Sequence, residues 1–197
     1  MAEPLAIARS ELILGGQKSG KSRRAEQLAA AWLAQSPGHR AVLIATATAH
    51  DDEMRARIAR HQHDRAQRVP GMATREALRD LPRALADAGG AETLRVVDCL
   101  TLWLTAQLMP MSADFKEKTP PAPDWQAQSA MLSRAIEACP GPVVLVGNEI
   151  GLGVIPLGRE VRAFVDALGL LNQSVAATCQ RVTLMAAGLP LYLKGAP

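Results

Sequence analysis

Apolar side chains in this chain gather into short, nearly unbroken blocks. The blocks fall at residues 11–14, 41–45, 94–98, 143–146 and 182–186, and Val143-Val144-Leu145-Val146 is the purest of them. Continuous blocks of this length, without polar alternation, predict strands buried on both faces, the pattern of a mainly parallel sheet. Longer stretches with helical character lie between them. They are 21–34, rich in Ala, Leu, Glu and Gln; 51–65, with an acidic first turn; then 81–88, 100–109, 125–138 and 159–177. A last short strand is expected around Tyr192. Strands that alternate with helices predict an α/β fold, with a sheet covered by helices on both faces. Residues 110–123 hold Pro, Ser, Asp, Lys and Glu without periodicity and predict a mobile loop. With no internal repeat and no sign of a second domain, residues 1–197 are expected to form one unit.

Composition narrows the class. At 48% hydrophobic and 21% charged, the chain can bury a substantial core. No apolar run reaches the roughly 18 residues of a membrane span. The start of the chain lacks the basic segment, apolar core and small-residue cleavage site of a secretory signal, so a cytoplasmic location is expected. Cys99, Cys139 and Cys179 are far apart and form no Cys-x-x-Cys pair. Such a set fits a reducing compartment and gives no support to a zinc site. Net charge is +3, and the aromatic residues are only Trp32, Trp103, Trp125, Phe115, Phe164 and Tyr192. Stacking platforms for single-stranded nucleic acid need more aromatics than that, so the positive charge fits small polyanions at least as well as DNA or RNA.

The strongest local signal is Gly15-Gly16-Gln17-Lys18-Ser19-Gly20-Lys21-Ser22. It has the G-x-x-x-x-G-K-[ST] pattern between a predicted strand and a predicted helix. Glycines there let successive N–H groups turn inward, and the helix start adds positive potential. Lys21 is expected at the β- and γ-phosphates, and Ser22 at Mg²⁺. Asp98, closing the third strand, is a second Mg²⁺ ligand or else a cap for the helix that follows. Together these predict a nucleoside triphosphate with Mg²⁺ on a P-loop NTPase sheet. The Asn/Thr-Lys-x-Asp and Asp-x-x-Gly motifs of switch GTPases are absent. A small-molecule kinase, a transferase and a RecA-like motor remain open.

Of the four histidines, His61 and His63 sit in the predicted helix 51–65. Two residues apart on a helix is about 200° of rotation, so the pair cannot share a ligand there. Met54, Ile58, His61 and Arg65 form one stripe, expected to face inward, while His63 points away with Ala56 and Ala59. This helix starts just after the second strand, on the sheet edge where phosphate ligands bind. Arg55, Arg57, Arg60 and Arg65 either form a solvated face or clamp a triphosphate. An imidazole there can attack phosphorus and carry a phosphoryl or nucleotidyl group.

Six stretches carry a more specific signal: LILGGQKSGKSRRAEQLA (12–29), ATATAHDDEMRARIARHQ (45–62), VVDCLTLWL (96–104), GNEIGLGVIP (147–156), LLNQSVA (170–176) and AGLPLYLK (187–194). With them the chain resembles the bifunctional adenosylcobinamide kinase / adenosylcobinamide-phosphate guanylyltransferase family of cobalamin biosynthesis, over nearly its whole length. The resemblance implies a RecA-like fold and two reactions. Adenosylcobinamide is phosphorylated from ATP or GTP, and GMP is then transferred from GTP to adenosylcobinamide phosphate through a histidine, with release of pyrophosphate. That histidine falls on His61, with His63 as the alternative. It also implies nucleotide contacts at the P-loop, Ala45, Thr46, Ala47, Gln62, His63, Asp64, Arg65, Glu76 and Asp98, and a homo-oligomer, most simply a trimer. Nucleic acid and a membrane span are not expected. The competing readings are a P-loop small-molecule kinase without the transferase step and a RecA-like nucleotide-dependent binding module.

Overall fold

The computed structural model describes residues 5–47, 52–77, 79–108 and 124–196, with the side chains of Glu53, Met54 and Arg57 not included. The expected mobile loop at 110–123, and His50 and Asp51 before the second helix, lie outside the described residues. The elements are β1 (Ser10–Gly15), α1 (Lys21–Gln35), β2 (Arg40–Ala45), α2 (Asp52–Arg68), β3 (Ala73–Glu76), α3 (Leu81–Ala86), β4 (Thr93–Asp98), α4 (Leu100–Leu108), α5 (Trp125–Ala138), β5 (Val143–Val146), α6 (Arg159–Thr178), β6 (Arg181–Ala186) and β7 (Leu189–Lys194).

One seven-stranded sheet runs in the order β3-β2-β4-β5-β1-β6-β7. Every neighbouring pair is parallel except β6 with β7. The apolar blocks fill its centre, where β1 and β5 are buried along their whole length. Helices cover both faces. On one, α3 to α6 place Leu85, Trp103, Leu104, Leu132, Leu168 and Leu171 against the sheet. On the other, Ala25, Leu28 and Ala29 of α1 pack with Ile13, Leu43, Val96 and Val144. Local chemistry sets several helix starts. Asp80 accepts from the Arg83 N–H with Pro82 in the first turn, and Asp124 accepts from the Gln126 N–H. Among the described residues, no helix is long and apolar enough to cross a membrane.

Charges also lie inside the sheet. Glu11 of β1 accepts from Arg181 of β6 at 2.6 and 2.9 Å and from the Thr183 hydroxyl at 2.7 Å. All three residues are buried. A carboxylate and a guanidinium tolerate such a place only because each is paired and hydrogen-bonded. Arg95 is buried too, and donates to the carbonyls of Leu85, Gly89 and Thr93.

Two features differ from the sequence expectation. β3 is an unpredicted strand whose four residues are all exposed. It is an edge strand held by pairing with β2, so it needs no apolar block of its own. The second difference is that α2 runs on to Arg68, because its last turn is anchored by ion pairs from Arg68 to Glu26 of α1 at 2.6 Å and to Asp64 at 3.0 Å.

Candidate active site at the carboxyl ends of the parallel strands

Three chain segments meet where β1, β4 and β5 end. The first is the loop from Gly15 to Ser22. Gly20 caps α1 at φ 102°, a conformation glycine alone adopts without strain. Gly15 is confined for a different reason: a Cβ there would meet the Met185 carbonyl and the Ser19 hydroxyl, each at 2.5 Å. Gly16, Gln17 and Lys18 are exposed, while Ser19 and Lys21 are buried and Ser22 is half-buried. Nζ of Lys21 donates to the Gly16 carbonyl at 2.6 Å. Burial lowers the Lys21 pKa from its ordinary value, opposed by its acidic neighbours Cys99 and Asp98. The Cys99 thiol is itself pushed up to about 11, first by burial and then by Asp98. At neutral pH the thiol is therefore uncharged.

The second segment is a row across the sheet. Ala45 is in register with Glu76 on one side and Asp98 on the other, and Asp98 with Val146. Glu76, Ala45 and Asp98, far apart in sequence, therefore share one edge. Thr46 locks this row. Its N–H donates to the Asp98 carbonyl at 3.2 Å, its hydroxyl donates to the Cys99 carbonyl at 2.7 Å, and it accepts from the Cys99 N–H at 2.8 Å. Only 1% of Thr46 is exposed, so its side chain holds Asp98 and Cys99 in place rather than reaching outward.

The third segment follows β5. The Glu149 N–H donates to the Gly15 carbonyl at 3.1 Å and the Gly147 N–H to the Ile13 carbonyl at 2.9 Å. The Asn148 N–H donates to the Thr101 hydroxyl at 3.0 Å, and Asn172 of α6 donates to the Asn148 carbonyl at 3.1 Å. Asn148, Glu149 and Asn172 thus brace the phosphate loop. Sequence reasoning placed them in matching stretches but gave them no role, because their partners come from three separate elements. Beyond Glu149, the chain exposes Ile150, Leu152, Val154, Ile155 and Leu157.

Helix α2 corrects one expectation. Of the stripe expected to face inward, Arg65 is buried and Ile58 half-buried, but His61 is exposed. The helix carries few apolar residues and docks through its last turn, where Arg65 donates to Thr74 at 3.3 Å and Val69 joins the core. Its middle, from Ala59 to His63 and so including Gln62, is exposed. His63 lies 3.0 Å from Gln67. Asp64 is taken up by Arg68. Among the described residues no hydrogen bond or ion pair joins His61 to the phosphate loop.

As donors for a divalent cation, the Ser22 hydroxyl and the Asp98 carboxylate are both half-buried oxygen ligands at this edge. Among the described residues no cluster of three or more His, Cys, Asp or Glu is arranged for a metal. The set fits Mg²⁺, which typically takes one or two protein oxygens and leaves the rest to phosphate and water.

The family model for cobinamide kinase / cobinamide phosphate guanyltransferase matches residues 11–193. The chain is 43% identical over 187 residues to the bifunctional adenosylcobalamin biosynthesis protein CobP of Pseudomonas aeruginosa, covering 95% of this chain and 98% of that protein. It is 33% identical over 190 residues to the bifunctional adenosylcobalamin biosynthesis protein CobU of Escherichia coli, covering 93% and 98%. Among solved structures it is similar to flagellar accessory protein FlaH of Methanocaldococcus jannaschii, with a TM-score of 0.51 and 12% identity over 96% of this chain and 80% of that one. That likeness concerns the α/β fold alone.

Proposed function

The chain belongs to the cobinamide kinase / cobinamide phosphate guanyltransferase family, and from that premise we propose that one nucleotide site serves both of its reactions. The observation that carries this reading is the meeting of the phosphate loop with the Glu76-Ala45-Asp98 row on a single sheet edge. In the first reaction the hydroxyl of adenosylcobinamide attacks the γ-phosphorus of ATP or GTP. A new P–O bond forms, the bond from the γ-phosphorus to the bridging oxygen breaks, the nucleoside diphosphate leaves, and the hydroxyl proton passes to solvent. In the second, the His61 imidazole attacks the α-phosphorus of GTP, and the bond to the β-phosphate oxygen breaks, releasing pyrophosphate. A phosphate oxygen of adenosylcobinamide phosphate then displaces the histidine, giving adenosylcobinamide-GDP.

The chain's own groups supply position and charge. Amides of residues 16–22 and the Lys21 ammonium hold the β- and γ-phosphates and stabilise charge on the departing pyrophosphate. Mg²⁺, with Ser22 and Asp98 as its protein ligands, would offset further phosphate charge. Exposure of His61 leaves the imidazole accessible to a bound nucleotide. The exposed apolar run from Ile150 to Leu157, joined to the loop through Glu149, suits a bulky, partly apolar corrinoid. The large substrate favours a shared surface in a homo-oligomer such as a trimer, and three free cysteines suit a reducing cytoplasm.

The test is incubation with GTP labelled at the α-phosphate. An acid-labile, base-stable protein adduct is expected in wild type and in His63→Ala but not in His61→Ala. A wild-type protein that binds GTP and turns over as a kinase without any adduct would refute the histidine route. It would leave a small-molecule kinase.

A further inference from the structure

The stretch AGLPLYLK (187–194) has no part in the chemistry above, yet its turn rests on the phosphate loop. The Gly188 N–H donates to the Ser19 carbonyl at 3.0 Å. A Cβ placed on Gly20 would meet Gly188 Cα at 3.2 Å, so the two backbones are in van der Waals contact. Ala187 and Gly188 have φ of 51° and 81° and form the two-residue connection between β6 and β7. Both central residues of such a tight hairpin turn need positive φ. A second contact lies one turn into α1. Arg24 is buried, and its Nη2 donates to the Tyr192 hydroxyl at 2.9 Å, while its Nε has no partner among the described residues. The Tyr192 ring is in turn held under Arg181, whose guanidinium carbon lies 5.9 Å from the ring centre. Arg181 is the residue fixed by Glu11 inside the sheet.

A trans peptide carries its carbonyl and its N–H on opposite sides. Turning the Ser19 carbonyl toward Gly188 therefore turns the Gly20 N–H away from the hairpin. It also turns toward the hairpin an oxygen that would repel phosphate. We propose that the β6–β7 hairpin is a positioning element for the nucleotide phosphates. Gly188 sets the direction of the Gly20 amide, and Tyr192 holds the first turn of α1 through Arg24. The inference rests on the reading of residues 15–22 as the phosphate site.

Inorganic tripolyphosphate with Mg²⁺ is the suitable probe, because it presents phosphates without a base or a corrinoid. Insertion of one glycine between Ala187 and Gly188 displaces the donor while leaving the strands to pair. It is expected to weaken tripolyphosphate binding and raise the KM for GTP about tenfold, as loss of an oriented charge-assisted contact does, with kcat at saturating GTP within about twofold. Tyr192→Phe keeps the ring and is expected to give about a threefold rise in both constants. It decides the matter if the insertion does not fold. Unchanged tripolyphosphate affinity in a folded variant overturns the proposal, as does a loss confined to kcat or to the stability of the nucleotide-free protein. Lys21→Ala is measured alongside. If it binds tripolyphosphate like wild type, the phosphate-site reading fails and takes the proposal with it. If it loses binding while the hairpin variants do not, the hairpin proposal alone fails.

Discussion

Lys21 is folded back on its own loop, its Nζ 2.6 Å from the Gly16 carbonyl. The ammonium is buried beside Asp98, and burial lowers its pKa. The folded protein thus binds this proton less tightly than the unfolded chain does, so the buried charge costs stability wherever the unfolded lysine is protonated. Lys21→Met keeps the stem and removes the charge. It is expected to raise the melting temperature of the nucleotide-free protein by about 1–3 °C at neutral pH. The gain should shrink as pH rises from the lowered folded value toward 10.5, because wild type then sheds the proton. The same variant should lose kcat/KM for GTP by about a hundredfold or more. Calorimetry across pH, with kinetics on the same samples, checks both halves.

Thr46 provides a cleaner separation of position from contact. Its hydroxyl both donates to and accepts from the backbone of Cys99, next to Asp98. Thr46→Val has nearly the same shape but leaves the buried Cys99 N–H unpaired and its carbonyl with the Trp103 N–H alone, a loss of about 1–3 kcal/mol in stability. Thr46→Ser keeps both hydrogen bonds and should restore most of it. Urea denaturation of the pair measures the difference. If Thr46 acts by holding Asp98, kinase turnover should follow the same order, with valine low and serine near wild type.

The buried pair of Glu11 and Arg181 predicts an asymmetric response. Glu11→Ala strands a guanidinium inside the sheet and is expected to cost about 3–5 kcal/mol. Glu11→Leu combined with Arg181→Met removes both charges and should cost clearly less than the single change. A denaturation series that finds the double variant no better than the single one would contradict this account of the sheet.

The legible parts of the molecule are those whose cause is local. A block such as Val143 to Val146, short, largely β-branched and bounded by glycine and proline, reads as an interior strand, and residues 15–22 carry the bend, the helix start and the lysine in one segment. β3 could not be read, because four exposed residues form a strand only through pairing with β2. Thr46 reads as a contact residue in sequence, and its bracing role depends on the register of β2 against β4. The stripe through His61 reads as an inward face because periodicity assumes that a helix lies along the sheet, whereas α2 docks by its last turn. Gly188 carries no sequence sign of its contact with Ser19, which depends on where β6 delivers its turn.

The exposed run after β5 ties substrate size to a specific measurement. Leu152 and Leu157 are 82% and 97% exposed, and Val154 is 97% exposed, so none of them supports the core. A polar substitution there should leave stability within about 0.5 kcal/mol. The segment begins one residue beyond Glu149, whose N–H is bonded to Gly15 at 3.1 Å, so a corrinoid lying on it would have its hydroxyl tail near the phosphate loop. Each apolar side chain buried against such a ring contributes about 1–2 kcal/mol. Leu152→Asp and Leu157→Asp are therefore expected to raise the KM for adenosylcobinamide about tenfold while the KM for GTP stays at its wild-type value. Steady-state kinetics with each substrate varied in turn resolves the two constants. An equal rise in both would mean that the run shapes the nucleotide site instead, and no rise in either would remove it from the substrate path.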